Sequence, residues 1–476
     1  MAYTHLPVFA ATLLWITTSA VSPLQASPLP LPQPHLPLTV SEQLQYGFHI
    51  AALNSLSTSI ICADSTVPDA GRKGSFGLPA CIEMSESAFG GVTSAYTVGG
   101  LVASLSAGSL IERWGKKGTG TRSAGLIVVG ASLVSFGSSL WILMLGRVLI
   151  GMSCGIATVL VPLYLRSVAP PAVAGNIGIL TQISINVGIF VAQGFSIPLS
   201  TAGTGNWRFV SLISAAVAAA QILTSPLMPE NGSAKQANNS RIYDVSEAED
   251  EERTPFAAEE DSAAASRDVR NDKASSLSVW DVLRSSDTSI SKPMWTLVLV
   301  MLFQQLSGIN AVMYYSTSIL TAVNPSSAKT VSLFVTIVNL VATFPAICLV
   351  DRLGRRSLLL LSLSIMCLST AVLGWSINTG HFYVASAFIM LFVVGFALGL
   401  GPVPFVLVGE MPVEEAKSAT ASVAVAVNWT SNLLVGIGFL PLRDYLASDG
   451  GGSGTVFYIF TICTAVGAVV LSRLVR

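Results

Sequence analysis

The chain has 476 residues, of which 51% are hydrophobic and only 11% are charged, and its mean hydropathy is +0.66. Soluble domains carry about 25% charged residues, so this chain has too few charges to cover a soluble surface. The formal net charge is -1, and no basic stripe with interleaved aromatic residues occurs, which excludes a nucleic-acid-binding surface. Apolar runs such as Ser123–Leu145 and Tyr383–Val408 reach the ~20 residues that cross a bilayer. The composition therefore indicates a multi-pass protein embedded in a lipid bilayer.

The start of the chain is its least regular part. Residues 1–37 form an atypical N-terminal segment. Its apolar run Leu6–Val21 could be a signal peptide, but no Lys or Arg precedes it, so we favour a displaced first half of helix one. The first span is expected at Leu38–Cys62, although its first half is unusually polar and contains Thr39, Ser41, Glu42, Gln43 and Gln45.

Five further spans complete an N-terminal half over residues 38–228. They are predicted near residues 87–111, 124–142, 145–166, 175–199 and 207–228. Residues 229–292 are rich in Ser, Ala, Asp and Glu and contain no long apolar stretch. This composition predicts a disordered acidic linker.

Six more spans make up a C-terminal half over residues 293–476. They are predicted near residues 294–320, 329–350, 357–376, 382–407, 417–440 and 455–472. A basic turn, ERWGKK at Glu112–Lys117, follows the second span, and a matching turn, DRLGRR at Asp351–Arg356, follows the eighth. The repetition indicates two duplicated six-helix halves with a substrate site between them. The expected fold is an all-α polytopic membrane protein of the major facilitator type, with about 12 transmembrane helices.

The short loops after even-numbered spans carry most of the Lys and Arg residues, and basic loops stay in the cytoplasm. Both termini and the acidic linker are therefore expected to be cytoplasmic, and the loop between Cys62 and Cys81 outside or lumenal. These two cysteines could form a disulfide in an oxidising compartment, while two free thiols explain the pattern equally well. No Cys or His spacing in the sequence is typical of a metal site.

Several motifs occur in a fixed order along the chain. They are QYGFH at Gln45–His49, GR at Gly146–Arg147, QQLSGIN at Gln304–Asn310 followed by YY at Tyr314–Tyr315, and GPVPF at Gly401–Phe405. In this order they resemble the sugar porters of the major facilitator superfamily over nearly all of residues 45–475. The first motif and the cysteine pair are most similar to the fungal vacuolar hexose-transporter-like branch. The resemblance implies transport of hexose-like sugars by alternating access, without a cofactor, in a vacuolar or plasma membrane.

A neutral sugar needs uncharged donors and acceptors, and an amide side chain supplies both. Six amides lie in apolar spans at positions that match the family: Gln182, Gln304, Gln305, Asn310, Asn339 and Asn432. Hydrogen bonding between helices is the alternative role for such groups. Six amides at family positions favour a sugar site.

The resemblance also assigns roles to aromatic residues and to an interrupted helix. Trp429 and Phe405 match positions that line the family's cavity, while Tyr314 and Tyr315 match its outer gate. Tyr and Trp can equally be interfacial anchors. Within span ten, Gly401, Pro402 and Pro404 interrupt the helix, which predicts a gating hinge, with a static kink as the alternative.

The energy source depends on His49, which stands where proton-coupled sugar porters carry Asp, close to the arginine that matches Arg147. Because no acid occupies this position, we favour facilitated diffusion, while His49 leaves proton coupling open since imidazole titrates near neutral pH.

A cytoplasmic salt-bridge clamp is expected from Arg113, Arg352, Glu410 and Lys417. Other partners of the family's clamp are missing, because Arg166-Ser167 and Pro229-Glu230-Asn231-Gly232 depart from its motifs. A non-transporting sugar sensor or trafficking factor is therefore the alternative function. An enzyme lacks support, since the sequence has no nucleophile elbow or phosphate loop. The specific sugar and the oligomeric state have no sequence signal.

Overall fold

The computed structural model describes residues 36–62, 73–168, 174–227, 277–321, 324, 326–448 and 452–475. The N-terminal residues 1–35 and most of the predicted linker, residues 228–276, lie outside this part of the chain. The described residues are nearly all helical, and they include no β-strand beyond two isolated bridges.

Five long helices make up the described part of the N-terminal half. They are α1 (Leu36–Ala51), α2 (Glu86–Phe136), α3 (Leu140–Val168), α4 (Ala174–Ser196) and α5 (Arg208–Thr224). The long helix α2 contains two predicted spans and kinks at Gly115, whose φ of 71° is a left-handed value that glycine adopts without strain. Five helices therefore supply six spans.

A short helix, α6, lies near the end of the predicted linker, and eight longer helices follow it. They are α6 (Val279–Arg284), α7 (Thr288–Leu306), α8 (Ile309–Thr321), α9 (Ala328–Leu353), α10 (Arg355–Asn378), α11 (Phe382–Gly395), α12 (Pro402–Glu410), α13 (Lys417–Leu446) and α14 (Val456–Leu474). Gly354, with a φ of 78°, separates α9 from α10. The two basic turns thus share a backbone bend as well as a residue pattern.

Nine helical stretches among the described residues are long and apolar enough to cross a membrane. One of them is α2, which holds two spans, while α7 with α8 and α11 with α12 each form one stretch. Adding α1 and the apolar, 17-residue α5 accounts for the twelve predicted spans. The chain is an all-α multi-pass membrane protein, as the composition predicted.

The polar first half of α1 is buried inside the N-terminal half. Gln43 donates to a backbone carbonyl of α3 at 2.9 Å, and Gln45 donates to the carbonyl of Ser214 in α5 at 2.9 Å. Glu42 accepts a hydrogen bond from Gln221 at 3.1 Å. Because these side chains face protein rather than lipid, a helix forms here despite its polar sequence.

The first span ends earlier than predicted. Helix α1 stops at Ala51 rather than continuing to Cys62, and only one further helical turn follows, at Ser57–Ile60. Asn54 and Ser55 lie in the interruption, and their side chains are buried and hydrogen-bonded to the other half. Short polar side chains that find such partners compete with helix continuation, which is a tertiary effect that hydropathy does not report.

The two halves meet where α2 packs against α13 and where α4 packs against α9 and α12. We call the end of the bundle that carries Cys62 and Cys81 the disulfide end, because the structure joins these residues in a disulfide. The opposite end, with the bends at Gly115 and Gly354, is the basic-turn end. The loop of the disulfide end is fixed to the start of α5, since the Trp207 indole donates to the carbonyl of Ala80 at 2.9 Å.

Candidate functional site

A cavity of about 40 Å³ lies between the two halves. The N-terminal half contributes residues of α1 and α4, and the C-terminal half contributes residues of α7, α8, α9, α12 and α13. The polar and aromatic residues of its lining are Tyr46, Gln182, Asn186, Gln304, Gln305, Asn310, Asn339, Phe396, Phe405 and Asn428. Five of the six predicted amides and Phe405 therefore meet at one place, although they are separated by up to 223 positions in the chain.

Four amides of the C-terminal half bond to one another around this cavity. Asn310 donates to Gln305 at 2.6 Å, and Gln305 donates to Asn428 at 3.0 Å. Asn428 donates to Gln304 at 2.6 Å, and Gln304 donates to the carbonyl of Leu400 at 2.8 Å. The amides thus form one chain that links α8, α7 and α13 to the break in span ten.

Asn186 joins the halves and was not predicted. Its Oδ1 accepts from Gln182 at 3.0 Å on its own helix and from Asn339 at 3.0 Å across the interface, and its Nδ2 donates to Thr343 at 2.6 Å. Gln182 and Asn186 are four residues apart, so they share one face of α4. That spacing is the signal that could have identified Asn186.

The cavity is small compared with the ~300–1,000 Å³ of ordinary ligand sites. In this compact arrangement the amides satisfy one another, so none of them is buried at the full cost of an unpaired polar group. The same amide donors and acceptors are the groups that hydroxyl groups of a ligand can bind. The site therefore suits a neutral polyhydroxylated ligand.

The remaining predicted aromatic and amide residues lie behind the cavity lining. Trp429 is 1% exposed, its indole donates to Thr158 at 3.3 Å, and its ring lies 5.3 Å from that of Tyr46. Asn432 accepts a hydrogen bond from the Tyr314 hydroxyl at 2.7 Å. In this conformation Trp429 and Asn432 support the cavity rather than line it.

A second polar cluster closes the disulfide end. Asn54 donates to Ser316 at 2.8 Å, and Gln193 donates to Ser55 at 2.8 Å and to Ser332 at 3.0 Å. Nearby, Tyr315 donates to the carbonyl of Gly436 at 2.9 Å. The cluster is uncharged and connects α4 and the chain beyond α1 with α8 and α9. Sequence reasoning missed it because hydroxyl side chains are common in membrane helices.

Span ten is interrupted at the predicted place. Between α11 and α12 the residues Phe396–Leu400 form a π-helical turn, which a cap at Gly401 ends. Pro402 opens α12 and Pro404 lies in its first turn, where proline is tolerated because the first N–H groups need no helical partner. The amide of Gln304 binds the carbonyl exposed at this turn, so the interruption is part of the cavity wall.

His49 and Arg147 lie next to each other, but their side chains are not paired. The Arg147 guanidinium donates to the carbonyls of His49 at 3.2 Å and Thr93 at 3.0 Å. The His49 Nε2 lies 2.7 Å from the Ser214 hydroxyl, which donates to Gln45 at 2.8 Å. Because the Ser214 hydroxyl uses its one proton in the bond to Gln45, the His49 Nε2–H group donates to the Ser214 oxygen. Among the described residues, no acid lies within ion-pair distance of Arg147.

The predicted clamp residues occupy the basic-turn end. Glu410 forms two hydrogen bonds with Arg355, the shorter at 2.9 Å, and Lys417 pairs with Glu414. Both pairs lie within the C-terminal half. Arg113 and Arg352 have exposed side chains. Glu410 therefore pairs with Arg355, which is neither of the two arginines, Arg113 and Arg352, expected in the clamp.

At the basic-turn end, Lys116 of the N-terminal half lies close enough to an acidic residue of the C-terminal half for the two charges to attract each other. Its ammonium lies 5.9 Å from the Tyr164 ring centroid. Burial lowers the pKa of Lys116, while the Glu414 carboxylate acts in the opposite direction with a smaller effect. The attraction between Lys116 and Glu414 crosses from the N-terminal to the C-terminal half.

Comparison with known proteins places this arrangement in a family. Residues 36–475 match the family model described as sugar (and other) transporter. The chain is 29% identical to a probable metabolite transport protein of Saccharomyces cerevisiae, covering 89% of this chain and 88% of the relative. It is 26% identical to vacuolar protein sorting-associated protein 73 of the same yeast, covering 88% of each. It is 30% identical to facilitated glucose transporter protein 1 of Caenorhabditis elegans, covering 84% of this chain and 80% of that protein.

A solved structure shares the fold. It is that of a proton:xylose symporter of the major facilitator superfamily bound to 6-bromo-6-deoxy-D-glucose, with a TM-score of 0.70, 19% sequence identity, and coverage of 92% of this chain and 94% of that chain. This likeness confirms the predicted major facilitator fold. Since the family model covers nearly the whole chain, the protein belongs to the sugar transporter family of the major facilitator superfamily and is a membrane transporter, not an enzyme.

Proposed function

We propose that the protein moves hexose-like sugars across a membrane by facilitated diffusion, with alternating access to the cavity between its halves. The observation that carries the proposal is the cavity lining, in which uncharged amides come from both halves. Among the described residues, no Asp, Glu, Lys, Arg or His lines the cavity. Such a lining matches a neutral ligand with many hydroxyl groups. The nematode relative is named as a facilitated glucose transporter, which supports the same substrate class.

Facilitated diffusion rather than proton symport is favoured by the surroundings of Arg147. A symporter needs a group that gains and loses a proton as the transporter changes state, and the position beside Arg147 holds His49. The His49 imidazole is hydrogen-bonded to the Ser214 hydroxyl. Arg147 forms its hydrogen bonds to His49 with the backbone carbonyl of His49 rather than with the imidazole. Protons remain the alternative second substrate through this imidazole.

Roles for individual residues follow from their positions. We assign sugar binding to Gln182, Gln304, Gln305, Asn310, Asn339, Phe405, Trp429 and Asn432, and add Asn186 and Asn428. Tyr314 and Tyr315 would close the disulfide end, and Gly401, Pro402 and Pro404 would form the hinge. We assign the disulfide end to the lumen or the outside and both termini to the cytoplasm, in a vacuolar membrane or the plasma membrane. The yeast relative named for vacuolar protein sorting supports the vacuole.

Uptake of labelled D-glucose and L-glucose into liposomes containing the purified protein tests the proposal. We expect uptake of the D form only, with a strong loss in Asn310→Ala, because this change breaks the amide chain at Gln305. Asn324→Ala is the matched control, since among the described residues the Asn324 side chain bonds to nearby Ser326 and not to the cavity. A protonophore should leave the rate unchanged. Proton-driven accumulation would contradict facilitated diffusion.

A second candidate is a sugar sensor or trafficking factor without transport activity. It is favoured by the ion pairs Arg355–Glu410 and Lys417–Glu414, which both lie inside the C-terminal half. At the basic-turn end the attraction of Lys116 to Glu414 crosses between the halves. Stereospecific binding without uptake in the same liposomes would support this candidate.

A further inference from the structure

Tyr96 occupies a central place between the halves, although no sequence motif includes it. It lies in α2 and is fully buried. Its ring centroid is 4.5 Å from the Arg147 guanidinium and 5.6 Å from the Trp429 ring, and its hydroxyl is hydrogen-bonded to that of Tyr314. One side chain of the N-terminal half thus contacts the buried cation of its own half, an aromatic residue of the site and a residue of the outer gate.

The directions of the hydrogen bonds can be assigned. The Tyr314 hydroxyl donates its one proton to Oδ1 of Asn432, at 2.7 Å. The Tyr96 hydroxyl must therefore donate to the Tyr314 oxygen. Among the described residues the Nδ2 group of Asn432 has no hydrogen-bond partner, although it is buried. The relay from Tyr96 through Tyr314 consequently fixes the Asn432 amide with its N–H groups free for a ligand.

Tyr96 cannot move independently of the N-terminal half. A Cβ atom at Gly151 of α3 would lie 1.7 Å from the Tyr96 carbonyl oxygen, so α2 and α3 are in close contact at this level. The Arg147 guanidinium against its ring is itself held by two carbonyl groups. Tyr314 and Asn432 belong to the C-terminal half. Opening the disulfide end by moving α8 therefore has to break the bond between the two tyrosines.

We infer that Tyr96 is a positioning residue that holds the disulfide end closed and fixes the Asn432 amide, so that its N–H groups stay available to the sugar. The inference rests on the proposed function for the identity of the ligand, but its conformational part does not require transport. The Tyr96 hydroxyl stabilises only the state in which the disulfide end is closed. Its removal should shift the closing equilibrium about two- to twelvefold toward the open state, which is the effect of one buried hydrogen bond.

Tyr96→Phe removes the hydroxyl and keeps the ring against Arg147. We expect amide hydrogen exchange of α8 to accelerate about two- to twelvefold, the same factor as for one hydrogen bond, while exchange in α3 stays unchanged. Ser123→Ala is the matched control, because Ser123 also lies in α2 and its hydroxyl bonds to Ser153 inside the N-terminal half. The control should leave α8 exchange at the wild-type rate.

A double-mutant cycle with Tyr314→Phe isolates the relay. If the two hydroxyls act together, the double variant should show α8 exchange no faster than Tyr314→Phe alone. In glucose uptake, Tyr96→Phe should change KM more than kcat, as expected for a shifted conformational balance and a misoriented Asn432. Unchanged α8 exchange in Tyr96→Phe, or additive effects in the cycle, would overturn the inference. Absence of uptake in the wild type would refute the proposed function alone, because the exchange measurement still tests the relay.

Discussion

Glu42 is the one acidic residue that is buried among the side chains the structure describes. Its Oε1 accepts one hydrogen bond from Gln221, and its Oε2 has no partner among the described residues. An ionised carboxylate in such a place would be out of water and without a cation, which is costly. The neutral, protonated form therefore fits the packing between α1 and α5, and an amide would fit it equally well.

Replacing Glu42 by Gln should change the stability of the protein only slightly. Gln keeps the oxygen that accepts from Gln221 and removes the requirement for a proton, so the free energy of unfolding should fall by no more than ~1 kcal/mol. Glu42→Ala should lose about 1–3 kcal/mol, because Gln221 then loses its acceptor in a buried place. Thermal unfolding of the three proteins in detergent at neutral pH measures the difference. Equal losses in both variants would show that the carboxyl group itself is needed.

The interruption of span ten shows how one element shapes the site. The π-helical turn at Phe396–Leu400 leaves the Leu400 carbonyl for Gln304, and it requires α10 to pass close to Gly399. A Cβ atom at Gly399 would lie 2.4 Å from the Leu358 carbonyl oxygen and 2.8 Å from the Ser362 Cβ. Backbone atoms cannot yield at such distances, so the position of the turn depends on a residue without a side chain.

Gly399→Ala should accordingly destabilise the C-terminal half. Overpacking of this kind costs about 1–3 kcal/mol, and the turn should shift away from Gln304. Gly438→Ala is the control in α13, where an added Cβ meets nothing within 4 Å and alanine favours the helix. Thermal unfolding midpoints in detergent should fall for Gly399→Ala and stay level or rise for Gly438→Ala. A level midpoint for Gly399→Ala would show that the turn tolerates a side chain.

At the scale of the whole molecule, the spans and their duplication were predictable because length, hydropathy and the matching basic turns are properties of consecutive residues. The site was predictable in part. Gln304, Gln305 and Asn310 lie in one specific motif, and the structure gathers them around the cavity. Asn186 and Tyr96 were missed because their importance depends on which face of a helix meets the other half. The end of α1 was missed for the same reason.

Counterflow into liposomes is the sharpest test of transport by this protein, because counterflow requires a cavity that opens alternately to both sides. Liposomes containing the protein are preloaded with unlabelled D-glucose and diluted into a trace of labelled D-glucose, with no proton gradient. Alternating access predicts a transient accumulation of label above equilibrium, which Asn310→Ala abolishes and Asn324→Ala preserves. Stereospecific binding of D-glucose with no accumulation of label would contradict transport and leave a sugar-binding protein that does not complete the cycle.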